Sequence, residues 1–395
     1  MRGRSSLAGF GAASFGAASF GLASFGLASF GLAAAALGVT ATTARAEDIT
    51  IAVAGPFTGP VAAIGEQFKR GAQAGAEAVN AAGGINGKKI KLDIEDEACD
   101  PKQAVAVANR LASLHVKFVD GHACSGASIP ASEVYAENKM LMITPSSSNP
   151  LLTEQAFKNK WSTILRLYGR DDAQGLYIGP WIAEKYKGKK IVILHDKSAY
   201  GQGLATAVKS GINAAGVKEI LFDSINPGEK DYSAVVSRLK GLGAEFVYFG
   251  GYHPEAGLIL RQAADQGLKF TLMMGDAIAS PDFWAISGPA GEGTLFTFPS
   301  DPQARPTAAK AVEDIKKSGF QPEGFTLFAY AVIQAMAEGM KRCACEDPVK
   351  VAAALRSGPP VDTVVGPVSF DEKGDLKNAT YDVNIWHDGK YAKLQ

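Results

Sequence analysis

Two sets of polar residues in this sequence are placed to hold opposite charges. In the first half, apolar runs end in Gly121-His122-Ala123-Cys124-Ser125 and in Thr144-Pro145-Ser146-Ser147-Ser148. In the second half, the ends carry His195 through Tyr200, Gly250-Gly251-Tyr252 and Gly275-Asp276. The first set offers hydroxyls and main-chain N–H groups at helix starts, which suit a carboxylate. The second offers two phenols and a carboxylate, which suit an ammonium. A buried zwitterion needs both ends paired, so the two sets together have the chemistry to hold an amino acid. Taken singly, each residue has a plainer reading. Ser125 reads as a helix N-cap, Ser146–Ser148 as a loop, the tyrosines as packing residues with wet hydroxyls, and Asp276 as a surface cap. Their shared location at strand ends favours the ligand.

The elements that carry these ends alternate strand and helix. Ile49–Gly55 is a buried apolar run, a helical pattern follows from Ile64 to Ala82, and Lys89–Ile94 alternates as a strand should. Pro101 opens a helix, as proline does in a first turn. Strands are expected at Val116–Val119 and Leu141–Thr144 around a helix at Pro130–Lys139, then at Ile164–Leu167, Ile191–His195, Ile220–Phe222, Phe246–Gly250 and Phe270–Met274, with helices between. Such alternation demands right-handed crossovers and parallel sheets. The units are too many for one open sheet, so the fold class is α/β with two doubly wound lobes. Val364–Phe370, Tyr381–Trp386 and Lys390–Lys393 read as shorter closing strands. In such folds ligands sit at the carboxyl ends of strands, where the polar residues above are found.

The chain of 395 residues carries 40 basic and 40 acidic side chains, no basic excess for nucleic acid. The balance hides an uneven start. Met1-Arg2-Gly3-Arg4 precedes an uncharged stretch from Ser5 to Ala44, which ends at Ala44-Arg45-Ala46 before Glu47-Asp48. A basic start, an apolar middle and an Ala-x-Ala end predict a secretory signal peptide over residues 1–46; the alternative is a retained membrane anchor. Phe10, Phe15, Phe20, Phe25 and Phe30 recur every fifth residue and define no amphipathic face. Cleavage removes three arginines and leaves 349 residues with 37 basic and 40 acidic groups, net −3.

The sequence resembles the periplasmic branched-chain amino-acid binding proteins of ABC importers over essentially all of the mature chain. The resemblance is densest at Ala98–Asn109, Met142-Ile-Thr-Pro145, Val247–Glu255 and Phe370–Lys377. It implies a type I periplasmic binding fold, two lobes joined by three crossovers that close on ligand like a trap. The expected lobes are residues 47–166 with 299–372, and 167–298 with 373–395. Carried over residue by residue, the resemblance gives Ser125 the ligand carboxylate. It places Ser148 where a threonine often completes that grip, and assigns the Ser146 carbonyl to the ammonium. Tyr200 and Tyr252 match the tyrosines of the closing lobe, and Asp276 matches the acidic partner of the ammonium. Ile64 and Ala123 fall where some members carry an aromatic and a larger aliphatic, which implies a permissive aliphatic pocket. The implied partners are a branched-chain or other aliphatic amino acid and the membrane permease subunits, with the protein acting as a periplasmic monomer without cofactor. A binding protein or sensor for another small amino acid or amide is the alternative.

The family joins a cysteine pair matching Cys99 and Cys124. That bridge spans 25 residues and is worth roughly 3 kcal/mol. Cys343 and Cys345, two apart, close only a strained ring and are expected as thiols near a helix end. An enzyme is disfavoured: His115, His122, His195, His253 and His387 are scattered, and no Gly-x-Ser-x-Gly, His-Glu-x-x-His or phosphate-binding loop occurs. No catalytic or metal site is expected.

Overall fold

The computed structural model describes residues 47–395; the expected leader at 1–46 lies outside the described residues. Two sheets organise the chain. In the first, β1 (Ile49–Gly55), β2 (Ile90–Asp96), β3 (Phe118–Gly121), β4 (Leu141–Thr144) and β5 (Ile164–Arg166) run parallel in the order β2-β1-β3-β4-β5. In the second, β6 (Ile191–His195), β7 (Leu221–Ser224), β8 (Phe246–Gly250), β9 (Thr271–Met274) and β10 (Leu295–Phe298) repeat the same order, β7-β6-β8-β9-β10, also in parallel. β1, β3, β4, β6 and β8 are buried on both faces, which is why they read as near-continuous apolar runs.

The second sheet does not stop at β10. Among the closing strands, β13 (Asp382–His387) pairs antiparallel with β10, and β14 (Lys390–Lys393) pairs antiparallel with β13. The expected strand at Val364–Phe370 is instead a small hairpin of β11 (Val361–Thr363) and β12 (Gly366–Val368). The turn Val364-Val365 interrupts pairing where a single apolar run suggested continuity.

Helices cover both lobes: α1 (Ala62–Ala81), α2 (Pro101–Ser113), α3 (Ser125–Glu137) and α4 (Leu151–Lys158) follow strands of the first sheet, and α5 (Asp171–Lys185), α6 (Ala199–Ala214), α7 (Ser233–Leu242), α8 (His253–Asp265) and α9 (Pro281–Ser287) accompany the second. After β10 the chain returns to the first lobe. There α10 (Ala309–Lys317) and α11 (Thr326–Cys343) pack on α1, and α12 (Pro348–Ser357) packs on α11 and β4. The fit of α1 on α11 depends on glycine: a Cβ at Gly71 would lie 1.9 Å from the Thr326 carbonyl. The chain crosses between the sheets after β5, after β10 and before β13, giving three crossovers.

Both disulfides lie on the first-lobe side. Cys99 and Cys124 are bridged with Cα atoms 5.6 Å apart. Cys343 and Cys345 are also bridged, with Cα atoms 5.2 Å apart, which corrects the expectation of thiols. The reason is local. α11 ends at Cys343, and Ala344 takes a left-handed conformation (φ 49°, ψ 39°) that folds Cys345 back to within bridging distance. No described helix is long and apolar enough to cross a membrane.

Candidate functional site

Strand order reverses at β1/β3 in the first sheet and at β6/β8 in the second, and loops beyond these points are where an open α/β sheet offers a crevice. Here the two crevices face each other across a small cavity of about 20 Å³. Its wall combines Ile64, Ala123, Cys124, Ser125 and Ser146 with Tyr200, Tyr252, Asp276, Ala277 and Phe325. Seven of the eight residues expected from sequence therefore border one space. Ser148 does not. It is buried two residues along, where its hydroxyl faces Asp171 and its carbonyl accepts the Asp171 N–H at 2.9 Å.

Ser125 has a different local role from the expected N-cap. Helix α3 begins at Ser125, five residues earlier than its sequence pattern suggests, because Pro130 is accommodated inside the helix. Cys124 takes the N-cap position and makes no side-chain cap bond. The N–H groups of Ala127 and Ser128 donate to the Cys124 carbonyl at 2.9 Å, which leaves those of Ser125 and Gly126 without an intrahelical acceptor, and Ser125 borders the cavity. The Ser125 hydroxyl accepts the Asn149 N–H at 3.2 Å. The Ser146 hydroxyl donates to the Ala123 carbonyl at 2.7 Å, tying the two first-lobe loops together.

The loop carrying Ser146 is held from below. Arg166, fully buried at the end of β5, donates to the carbonyls of Ser147 (3.0 Å) and Asn149 (2.8 Å) and pairs with Asp375. Ser147 donates to the His122 carbonyl at 3.0 Å, and Thr144 donates to the same oxygen at 2.7 Å. Beneath the disulfide, His122 Nε2 lies 2.8 Å from the Tyr135 hydroxyl and Nδ1 lies 3.8 Å from Glu97. Burial and the nearby Glu97 push the Tyr135 phenol far above its usual range. These charged residues were not apparent as site supports from sequence, where charges ordinarily mark solvated faces.

On the facing lobe, Tyr200 is the second residue of α6, whose N-cap Ser198 accepts the Gly201 N–H at 2.9 Å. Tyr252 is the N-cap residue of α8, and Asp276 opens a single turn of 3₁₀ helix through Ile278. The Tyr200 and Tyr252 rings pack at 5.3 Å. Tyr200 donates to Asp276 Oδ1 at 2.7 Å, while Oδ2 is buried without a hydrogen-bond partner. Burial pushes the Asp276 carboxyl up to about 6, with the Tyr200 and Tyr168 hydroxyls pulling the other way. Asp171 is pushed higher, to about 8, by burial and by the negative charge of Asp276. An unpaired buried carboxylate demands a cation or a proton.

The lobes touch around the cavity. Asn149 donates its side-chain amide to the Ala199 carbonyl at 2.6 Å, and the Tyr252 hydroxyl lies 3.8 Å from Cys99 Sγ. The apolar part of the wall is Ile64, Ala123, Ala277 and Phe325. Phe325 stacks in an aromatic group with Phe68, Tyr168 and Phe298. It lies just before α11, more than 250 residues after Ile64, and nothing local marks it as a lining residue. Elsewhere, Glu292, His387 and Asp388 form an exposed cluster whose ligand atoms lie within 4.8 Å of one another.

The arrangement has known counterparts. The family described as periplasmic binding protein matches residues 48–389. A Leu/Ile/Val-binding protein homolog from Brucella suis is 48% identical over 351 residues, covering 88% of this chain and 94% of the relative. An amino acid binding protein from Pseudomonas aeruginosa is 47% identical over the same length, covering 88% and 92%. Among solved structures, a leucine binding protein from Thermotoga maritima superposes with a TM-score of 0.81 at 27% identity, covering 88% of this chain and 98% of that one. A Streptococcus pneumoniae branched-chain amino acid transporter substrate binding protein, solved with isoleucine, shares the fold with a TM-score of 0.78 at 24% identity, covering 87% and 97%.

Proposed function

This chain belongs to the periplasmic binding protein family, and from that premise we propose that it captures aliphatic and branched-chain L-amino acids between its lobes and delivers them to the membrane permease of an ABC importer. The observation that carries the reading is the buried Asp276 carboxylate, one oxygen satisfied by Tyr200 and the other unpartnered beside a small, largely apolar cavity. A ligand ammonium supplies the missing charge and donor. At the other side, the Ser125 hydroxyl and the free N–H groups of Ser125 and Gly126 at the start of α3 receive the carboxylate. The Ser146 carbonyl adds an acceptor for the ammonium. Ser148 supports this end of the site through its loop. The ligand side chain then lies against Ile64, Ala123 and Phe325, where the single methyl of Ala123 leaves room for more than one aliphatic shape.

The lobes that close are residues 47–166 with 299–372, and 167–298 with 373–395. The protein works as an extracytoplasmic monomer after residues 1–46 are removed as an export signal, and it binds its ligand without turning it over. Calorimetry on protein stripped of any co-purified ligand tests the reading. Saturable heat with leucine, isoleucine or valine is the expected result. No heat with these three or with phenylalanine overturns it, as does release of a chemically altered product.

A further inference from the structure

Gln67 stands one helical turn beyond Ile64 on α1, is 1% exposed, and does not line the cavity. Its side-chain amide nevertheless meets two segments that do. Nε2 donates to the Ala279 carbonyl of the facing lobe at 3.1 Å. Oε1 accepts the Phe325 N–H at 3.0 Å. The same amide offsets the burial of the Glu323 carboxyl two residues earlier. Ala279 closes the turn that begins at Asp276, its N–H bonded to the Asp276 carbonyl at 3.0 Å. One buried amide thus links the helix of Ile64, the main chain of Phe325 and the turn of Asp276.

Gly324 shows how tightly the joint is built. It has φ +46°, and a Cβ there would stand 2.3 Å from Gln67 Oε1 and 2.6 Å from the Ala279 carbonyl. Any side chain at this position acts as a wedge between the lobes. The Gln67–Ala279 bond crosses between lobes, so opening breaks it, whereas the Phe325 bond lies within the first lobe and survives.

We infer that Gln67 is a positioning residue that latches the closed state and sets how long the amino acid stays bound, without touching the ligand. The inference rests on the amino-acid-binding reading above. Breaking the latch leaves the open-state encounter alone and accelerates release, since changes within one interface act mainly on dissociation. Loss of one buried hydrogen bond corresponds to about a tenfold effect.

Stopped-flow fluorescence with leucine, on wild type, Gln67→Met and Gly324→Ala, separates the two rates. The expected result is dissociation about tenfold faster in both variants, with association close to wild type. Gln67→Met keeps the side-chain length and removes the amide; Gly324→Ala keeps the amide and inserts the wedge, so either variant alone is sufficient if the other does not fold. Unchanged dissociation in the variants overturns the latch, and so does an affinity loss that lies wholly in slower association. Wild-type protein that binds leucine while the variants match it overturns only the latch; wild-type protein that binds none of leucine, isoleucine and valine overturns the functional reading and the latch with it.

Discussion

The Tyr200 hydroxyl donates to Asp276 Oδ1 at 2.7 Å, joining residues 76 positions apart into one charge-bearing unit on one lobe. The phenol orients the carboxylate and occupies one oxygen, so only Oδ2 remains to be paired. Removing the carboxylate should therefore cost the ammonium and little else. Asp276→Ala is expected to weaken leucine about a hundredfold, within the range for truncating one partner of a buried charge pair, while 4-methylpentanoate, which lacks the amine, loses far less. Equal losses in calorimetry with the two ligands would show that Asp276 does not hold the ammonium.

Acidification should have the same target. Burial pushes the Asp276 carboxyl up to about 6, and a bound ammonium favours its charged form, lowering that value. Protons and ligand then compete. Affinity is expected to fall as the pH drops below about 6, by at most about tenfold per unit for a single site. Asp276→Asn removes this dependence along with much of the affinity. A wild-type profile flat through pH 5 contradicts the assignment.

Much of this arrangement can be read before any coordinates are seen. Apolar strands buried on both faces, such as β1 and β8, leave an unmistakable run, and polar residues just past their ends mark the crevice by topology alone. Ser125, Tyr200 and Asp276 are legible for that reason. Phe325 and Gln67 are not, because their roles come from contacts between segments more than 200 residues apart. Arg166 is hidden for a different reason: a charged residue reads as solvated until the fold supplies the carbonyls and counter-charge that let it be buried. Helix α3 is misplaced by its own Pro130, whose usual meaning as a helix start is overridden by the turn at Cys124.

The two disulfides should differ sharply in their worth. The Cys99–Cys124 bridge spans 25 residues and Cys343–Cys345 spans 2. Cys99→Ser with Cys124→Ser is expected to lower unfolding free energy by about 3 kcal/mol, and Cys343→Ser with Cys345→Ser by about 1 kcal/mol, from the loop-length dependence of chain entropy. Denaturant unfolding of the two double variants measures both. Thiol labelling of the denatured, unreduced wild type should find no free thiol; labelling at Cys343 or Cys345 would refute that bridge.

Selectivity should respond to the smallest side chain in the wall. Ala123 is 8% exposed and borders the cavity, so added carbons there enter space meant for the ligand. Ala123→Leu is expected to weaken leucine and phenylalanine by about tenfold or more, the scale of overpacking a filled site, while valine is affected least. Competition titrations on one protein preparation give the ranking. An unchanged order among the three would mean that the ligand side chain points elsewhere.

The wall of the cavity comes from two bodies, and this alters what its size means. Neither lobe alone forms the site; each contributes part of its wall, so the space between them depends on the angle at which they meet. A longer ligand side chain can be met by a slightly wider angle, with the same residues touching it. Substitutions at the three crossovers, far from any ligand atom, can therefore retune preference among aliphatic side chains by changing where the swing of the lobes comes to rest.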